Sequence, residues 1–135
     1  MKQTFADSSF YLAILNTRDA AHAIALAVSE MLEGQIVTTE WVLLEVADAM
    51  SSVPNRQRFL DLIDEIEGAT QHQIIRSNTR HFQLALQLYR RRSDKNWSLT
   101  DCISFSIMQE RGLTEALTAD HHFEQAGFIA LLMHS

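Results

Sequence analysis

The chain has 135 residues, 47% of them hydrophobic, which suits one domain over residues 1–135 with a real core and leaves too little for two ordinary domains. No run of about 18 apolar residues offers a membrane span, and the opening MKQTFADSSF lacks the apolar stretch of a secretory signal, so a soluble, cytoplasmic protein is expected. The formal net charge of −6 argues against a sequence-reading DNA binder, which turns a basic face to phosphate, yet fits an enzyme that gathers carboxylates around a divalent cation.

Glycine and proline are scarce, four and one, so element boundaries rest on periodicity and caps. KQTFAD reads as a first strand and SSFYLAILN as the helix after it. DAAHAIALAVSEMLEG is Ala-rich, apolar at helical spacing and closed by Gly34. QIVTT is a second strand, and EWVLLEVADAMS a helix entered through Thr39. Pro54 starts PNRQRFLDLIDEIEG at the position where a missing N–H does no harm, and Gly68 ends it. HQIIRS is a third strand, NTRHFQLALQLYRRR and SLTDCISFSIMQERG are helices, EALTA is a fourth strand and FIALLM a fifth. Strands alternating with helices call for crossover connections, hence a three-layer α/β/α sandwich with a mostly parallel central sheet.

In such open sheets the ligand site lies beyond the carboxyl ends of the strands. Asp7 follows the first strand and Asp120 the fourth, while Glu45 lies in the helix after the second strand and Asp101 begins the helix that leads into the fourth. Carboxylates brought together repel one another unless a cation sits between them, and oxygen-only donors suit Mg²⁺ or Mn²⁺. Each acid also has a plainer role. Ser98 and Asp101 fit an S-x-x-D capping box, Asp7 and Asp120 stand where N-caps would, and Glu45 borders the apolar stripe of Val42, Val46 and Ala49.

FADSSFYLAIL, IVTTEWVLLEVADAM, WSLTDCISFSIMQERG and ALTADHHFEQAGF, in this order and at these spacings, resemble the PIN domain, most often met as the VapC-type toxin of bacterial toxin-antitoxin pairs. The resemblance spans nearly the whole chain. Its most specific part is the final third, where S-L-T-D, a buried helix, Gly, a strand and T-x-D-x-H-F follow one another. It implies a metal-dependent endoribonuclease with an acidic pocket, using Mg²⁺ or Mn²⁺ held by Asp7, Glu45, Asp101 and Asp120. Asp7 and Asp101 are then the principal ligands, Glu45 and Asp120 acting directly or through water; Thr100 and Thr118 orient a carboxylate or a water. The implied partners are an RNA substrate, a cognate antitoxin and a second copy of the chain. Metal-activated water needs no RNA 2′-hydroxyl, so the products carry 5′-phosphate and 3′-hydroxyl ends.

The remaining conspicuous residues divide between surface and core. His121 and His122 follow Asp120, but adjacent helix residues point about 100° apart, so they are not expected to chelate together with it. YRRRSDKNW is the one concentrated basic stretch: Arg90, Arg91, Arg92 and Lys95 would guide phosphates, with Tyr89 or Trp97 for base stacking, or else form a solvated helix end. Asp94, in the same loop, reads as a surface residue. The single cysteine, Cys102, has no disulfide partner and reads as a small core residue. The Ala-rich helix and FLDLIDEIEG carry apolar positions beyond a narrow stripe, enough for a dimer or antitoxin groove. Two other functions compete. A receiver domain wants adjacent acids after strand one and a late lysine, yet only Asp7 stands there and no lysine follows Lys95. A catalytically silent PIN-like scaffold is opposed by the complete acid set.

Overall fold

A computed structural model describes residues 1–133, so the last two residues of the expected domain lie outside the described residues. Five strands form the sheet: β1 (Gln3–Ala6), β2 (Gln35–Thr39), β3 (His72–Ile75), β4 (Glu115–Leu117) and β5 (Ile129–Ala130). All pairings are parallel, in the order β3-β2-β1-β4-β5. The central strands are covered on both faces, which is why β1 and β2 show no clean polar alternation and even their threonines, Thr4, Thr38 and Thr39, are fully buried.

The chain steps from β1 through β2 to β3 in one direction and then returns past β1 to β4 and β5. Right-handed crossovers therefore place α1 (Ser8–Leu15), α2 (His22–Met31), α3 (Glu40–Ala49) and α4 (Val53–Gly68) on one face. They place α5 (Thr79–Arg91), α6 (Leu99–Arg111) and α7 (His121–Gln125) on the other. The reversal falls between β1 and β4, the switch point at which such sheets open a crevice. A receiver sheet has the order 2-1-3-4-5, so the observed order removes that alternative.

Local chemistry explains most boundaries. Thr39 accepts from the Val42 N–H at 3.1 Å and Asn78 from the His81 N–H at 2.8 Å, fixing the starts of α3 and α5. Pro54 sits in the first turn of α4, and α6 ends on Gly112 with φ +67°. Three elements differ from the sequence reading. The Ala-rich helix starts only at His22, because Asp19 accepts from the Ala21 N–H at 2.8 Å and holds the preceding residues in a turn. Gly34 ends no helix; it is the entry to β2, with φ +88°, and a Cβ there would stand 2.1 Å from the Lys2 carbonyl oxygen. The fifth strand is confined to two residues, the chain turning at Leu131.

The core is dominated by Phe5, Tyr11, Val37, Val42, Val46, Ile107, Met108, Leu117 and Phe123, all fully buried. Phe105 joins α6 to α7 and to the loop before it, packing edge-on against Phe123 at 4.9 Å and Trp97 at 5.0 Å. This aromatic cluster fixes how the start of α6 and the start of α7 meet. Cys102 is buried in the same helix, as expected of a small core residue.

Candidate active site

Asp7 is the first residue after β1, and its side chain makes no capping bond to α1. It is 4% exposed. Instead its Oδ2 accepts from the Thr118 hydroxyl at 3.0 Å and the Ser9 hydroxyl at 3.2 Å. The same Thr118 oxygen accepts from the Asp120 N–H at 3.0 Å, and Ser9 accepts from the Ala119 N–H at 3.1 Å. The Asp7 N–H in turn donates to the Leu117 carbonyl at 3.1 Å. One hydrogen-bonded unit thus locks the carboxyl ends of β1 and β4 together.

Asp101 closes the capping box of α6: its Oδ2 accepts from the Ser98 N–H at 3.1 Å while its own N–H donates to Ser98 Oγ at 2.9 Å. Asp120 caps α7 by accepting from the His122 N–H at 2.9 Å. Glu45 lies half-buried on α3, within reach of the Ser8 hydroxyl.

The acids face one another electrostatically. Burial raises the Asp7 carboxyl to about 6, against the pull of the Ser8 N–H and the Thr118 hydroxyl, with the charges of Asp101 and Glu45 pushing it further up. Burial likewise raises Glu45, where Asp101 and Asp120 add repulsion, and Asp101, where Asp120 does. The sequence reading placed these side chains at one edge of the sheet, and the structure brings Glu45 and Asp101 into electrostatic range of Asp7, and Asp120 into that of Glu45 and Asp101. Thr118 is in the network, whereas Thr100 is half-buried in the first turn of α6 without a comparable bond among the described residues. Ser9 was not singled out in the sequence, although the second serine of D-S-S marked it.

The histidines depart from expectation. Asp120, His121 and His122 each offer one ligand atom, all within 4.8 Å of one another. Spacing along a helix separates side-chain directions, but these two rings stand in the first turn of a five-residue helix and fold back toward its cap. The His122 Nδ1 lies 3.3 Å from Asp101 Oδ2 and 3.3 Å from Asp120 Oδ1. It is buried and hydrogen-bonds to neither.

The basic stretch reaches the same end of the molecule, because α5 runs down against α6 and hands over to its start. Arg92 pairs with Asp94 at 3.1 Å and lies over the Trp97 ring, 5.1 Å from its centroid. Trp97 is buried, and its indole N–H donates to Gln125 at 3.0 Å, so it is a packing residue and not a base-stacking platform. Lys95 stands 3.9 Å from Asp94. Arg90, Arg91 and Tyr89 are exposed.

A parallel α/β/α sheet whose switch point gathers four carboxylates, three of them at the heads of helices, defines an open-sheet fold with an acid-lined crevice. The sequence matches the PIN domain over residues 4–129, and the chain belongs to that family. Among solved structures, VapC20 of Mycobacterium tuberculosis, described as a toxin that cleaves the sarcin-ricin loop, superposes with a TM-score of 0.86. It is 22% identical, over 95% of this chain and 97% of that one. FitAcB of Neisseria gonorrhoeae follows at 0.67 and 15% identity, over 94% of each chain. A comparison with curated proteins found no match. Among the described residues no helix is long and apolar enough to cross a membrane.

Proposed function

We propose that this PIN domain is a divalent-metal-dependent endoribonuclease, the toxin of a toxin-antitoxin pair, with Asp7, Glu45, Asp101 and Asp120 as its catalytic and metal-holding residues. The observation that carries the reading is the convergence of these acids at the β1/β4 switch point, each of Asp7, Glu45 and Asp101 raised by burial and by the charge of another. A fold keeps such repulsion where a cation relieves it.

The donor set fits Mg²⁺ or Mn²⁺: carboxylate oxygens from four elements, with Asp7 held by Thr118 and Ser9, and Asp101 held by Ser98. When bound, the ion supplies a nucleophilic water at neutral pH and charge neutralisation at the phosphate. The chain's own contribution is placement. Thr118 and Ser9 fix Asp7 Oδ2, and the α6 capping box fixes Asp101 Oδ2, so each carboxylate is held in one orientation. The helix starts of α6 and α7 turn their positive ends toward the same crevice, which favours an approaching phosphate.

We read the substrate as a structured RNA, which VapC20 suggests by the description it carries. Arg90 and Arg91 are proposed to meet its backbone. A cognate antitoxin and a second copy of the chain are the proposed protein partners, and cytoplasm the proposed compartment. The cleft of about 290 Å³ lined by Phe10, Ile14, Leu26, Leu62 and Ile66 supports a partner helix there.

The deciding experiment is cleavage of labelled structured RNA, a sarcin-ricin stem-loop included, by wild type and Asp101→Asn with Mg²⁺, Mn²⁺ or EDTA. Metal-dependent cleavage that is lost in the folded variant supports the reading. Equal activity in both proteins, or activity that survives EDTA, overturns it.

A further inference from the structure

We propose that His122 is a metal ligand: with Asp101 and Asp120 it makes the α6/α7 end of the acidic crevice a mixed nitrogen-oxygen site that takes Zn²⁺ and Mn²⁺ in preference to Mg²⁺. This rests on the metal-dependent reading above and goes beyond it, because an all-carboxylate site follows the same order more weakly and carries no nitrogen donor.

Three observations carry it. The His122 Nδ1 is buried and without a hydrogen bond, although a buried ring nitrogen is nearly always satisfied. It stands 3.3 Å from a carboxylate oxygen of Asp101 and 3.3 Å from one of Asp120. Donors bound to one ion at about 2.0–2.2 Å each sit some 3–4 Å apart, so each of the two His122–carboxylate spacings matches a pair of ligands on one ion. The His121 ring, stacked on His122 at 4.4 Å between centroids, approaches the same Asp120 oxygen from the exposed side at 3.7 Å. With Asp120 and His122 it forms a three-residue set whose ligand atoms all lie within 4.8 Å of one another. Imidazole adds little for Mg²⁺, which prefers oxygen, and much for the later first-row cations, whose affinities climb from Mn²⁺ to Zn²⁺. Zn²⁺ seated there takes up the Asp101 and Asp120 oxygens, so it should block Mg²⁺-supported cleavage.

The test is calorimetric titration of the full chain with Mg²⁺, Mn²⁺ and Zn²⁺ in the absence of RNA, for wild type, His122→Ala and His121→Ala. Electron spin-echo spectra of the Mn²⁺-loaded wild type are recorded alongside. The expected order is Zn²⁺ tightest and Mg²⁺ weakest. His122→Ala should lose roughly tenfold or more in Zn²⁺ and Mn²⁺ affinity, with Mg²⁺ changed less than about twofold, and His121→Ala should weaken Zn²⁺ alone. Bound Mn²⁺ should show imidazole ¹⁴N modulation, a readout that needs no variant to fold. Mn²⁺ binding that Asp101→Asn removes, but that shows no ¹⁴N modulation, overturns the His122 proposal and leaves the nuclease reading standing. An equal loss for all three ions in His122→Ala also overturns it. No binding of any ion overturns both.

Discussion

Thr118 and Asp7 are joined by a 3.0 Å hydrogen bond across 111 positions of sequence, and the same hydroxyl oxygen accepts from the Asp120 N–H. A single side chain therefore orients one acid and positions the loop that carries another. Thr118→Val keeps the shape and deletes both bonds. It should cost about 1–3 kcal/mol, the usual penalty of leaving buried polar groups unpaired, and slow RNA cleavage by roughly tenfold or more. Thr118→Ser should retain most of both. Urea unfolding and initial cleavage rates of the two variants check this; similar values for Val and Ser would show that the hydroxyl does nothing.

Asp7 supplies a pH dependence with a definite sign. Its carboxyl is raised from 3.8 to about 6, so the folded chain holds this proton more tightly than the unfolded chain does. Without metal, stability from this group is fully present below about pH 4 and is lost as pH rises through about 6. The loss is on the order of 3 kcal/mol at neutral pH. Glu45 and Asp101 shift the same way. In EDTA, Asp7→Asn should thus be more stable than wild type at pH 7 and no more stable near pH 4, while losing cleavage. Urea denaturation of both proteins between these values measures it, and a constant difference across the range would assign the Asp7 effect to packing.

Asp101 holds two roles that substitution separates. Its Oδ2 accepts from the Ser98 N–H at 3.1 Å, a bond that an asparagine carbonyl also accepts. Asp101→Asn should therefore fold normally with metal binding and cleavage lowered by roughly 100-fold or more. Asp101→Ala should lose activity and also about 1 kcal/mol of stability. Thermal unfolding separates the variants. If both unfold at the wild-type temperature, the cap is energetically silent.

The order of elements and the four acids were legible because each left a local mark: Thr39, Asn78 and Ser98 as caps, Pro54 in a first turn, and an acid immediately past β1. What was not legible depended on contacts between distant segments. Gly34 looked like a helix end, yet its conformation is dictated by the Lys2 carbonyl against which the β2 entry packs. Trp97 looked like a stacking platform, and only the packing of Phe105 and the reach of Gln125 reveal it as core. The inward turn of His122 follows from α7 being so short that its cap and its rings share one space. Helical periodicity, which describes long elements, carries no information about that.

Packing also divides the basic stretch in a way that its sequence does not. Arg92 is committed to Asp94 and to the face of Trp97, while Arg90 and Arg91 are exposed at the end of α5 with no ion pair among the described residues. Arg92→Ala should therefore act chiefly on the loop before α6, where it removes the cation–π contact to Trp97 and slightly lowers stability. Arg90→Ala and Arg91→Ala should leave stability unchanged and weaken RNA binding. A phosphate contact releases counterions, so each lost contact should flatten the plot of log affinity against log salt by about 0.7 for a single-stranded segment. Fluorescence anisotropy with labelled RNA at several salt concentrations, using the Asp101→Asn protein to prevent cleavage, gives these slopes. A flatter slope for the two exposed arginines, against an unchanged slope for Arg92→Ala, places the RNA backbone along the end of α5. Equal slopes for all three would place it elsewhere on the crevice rim.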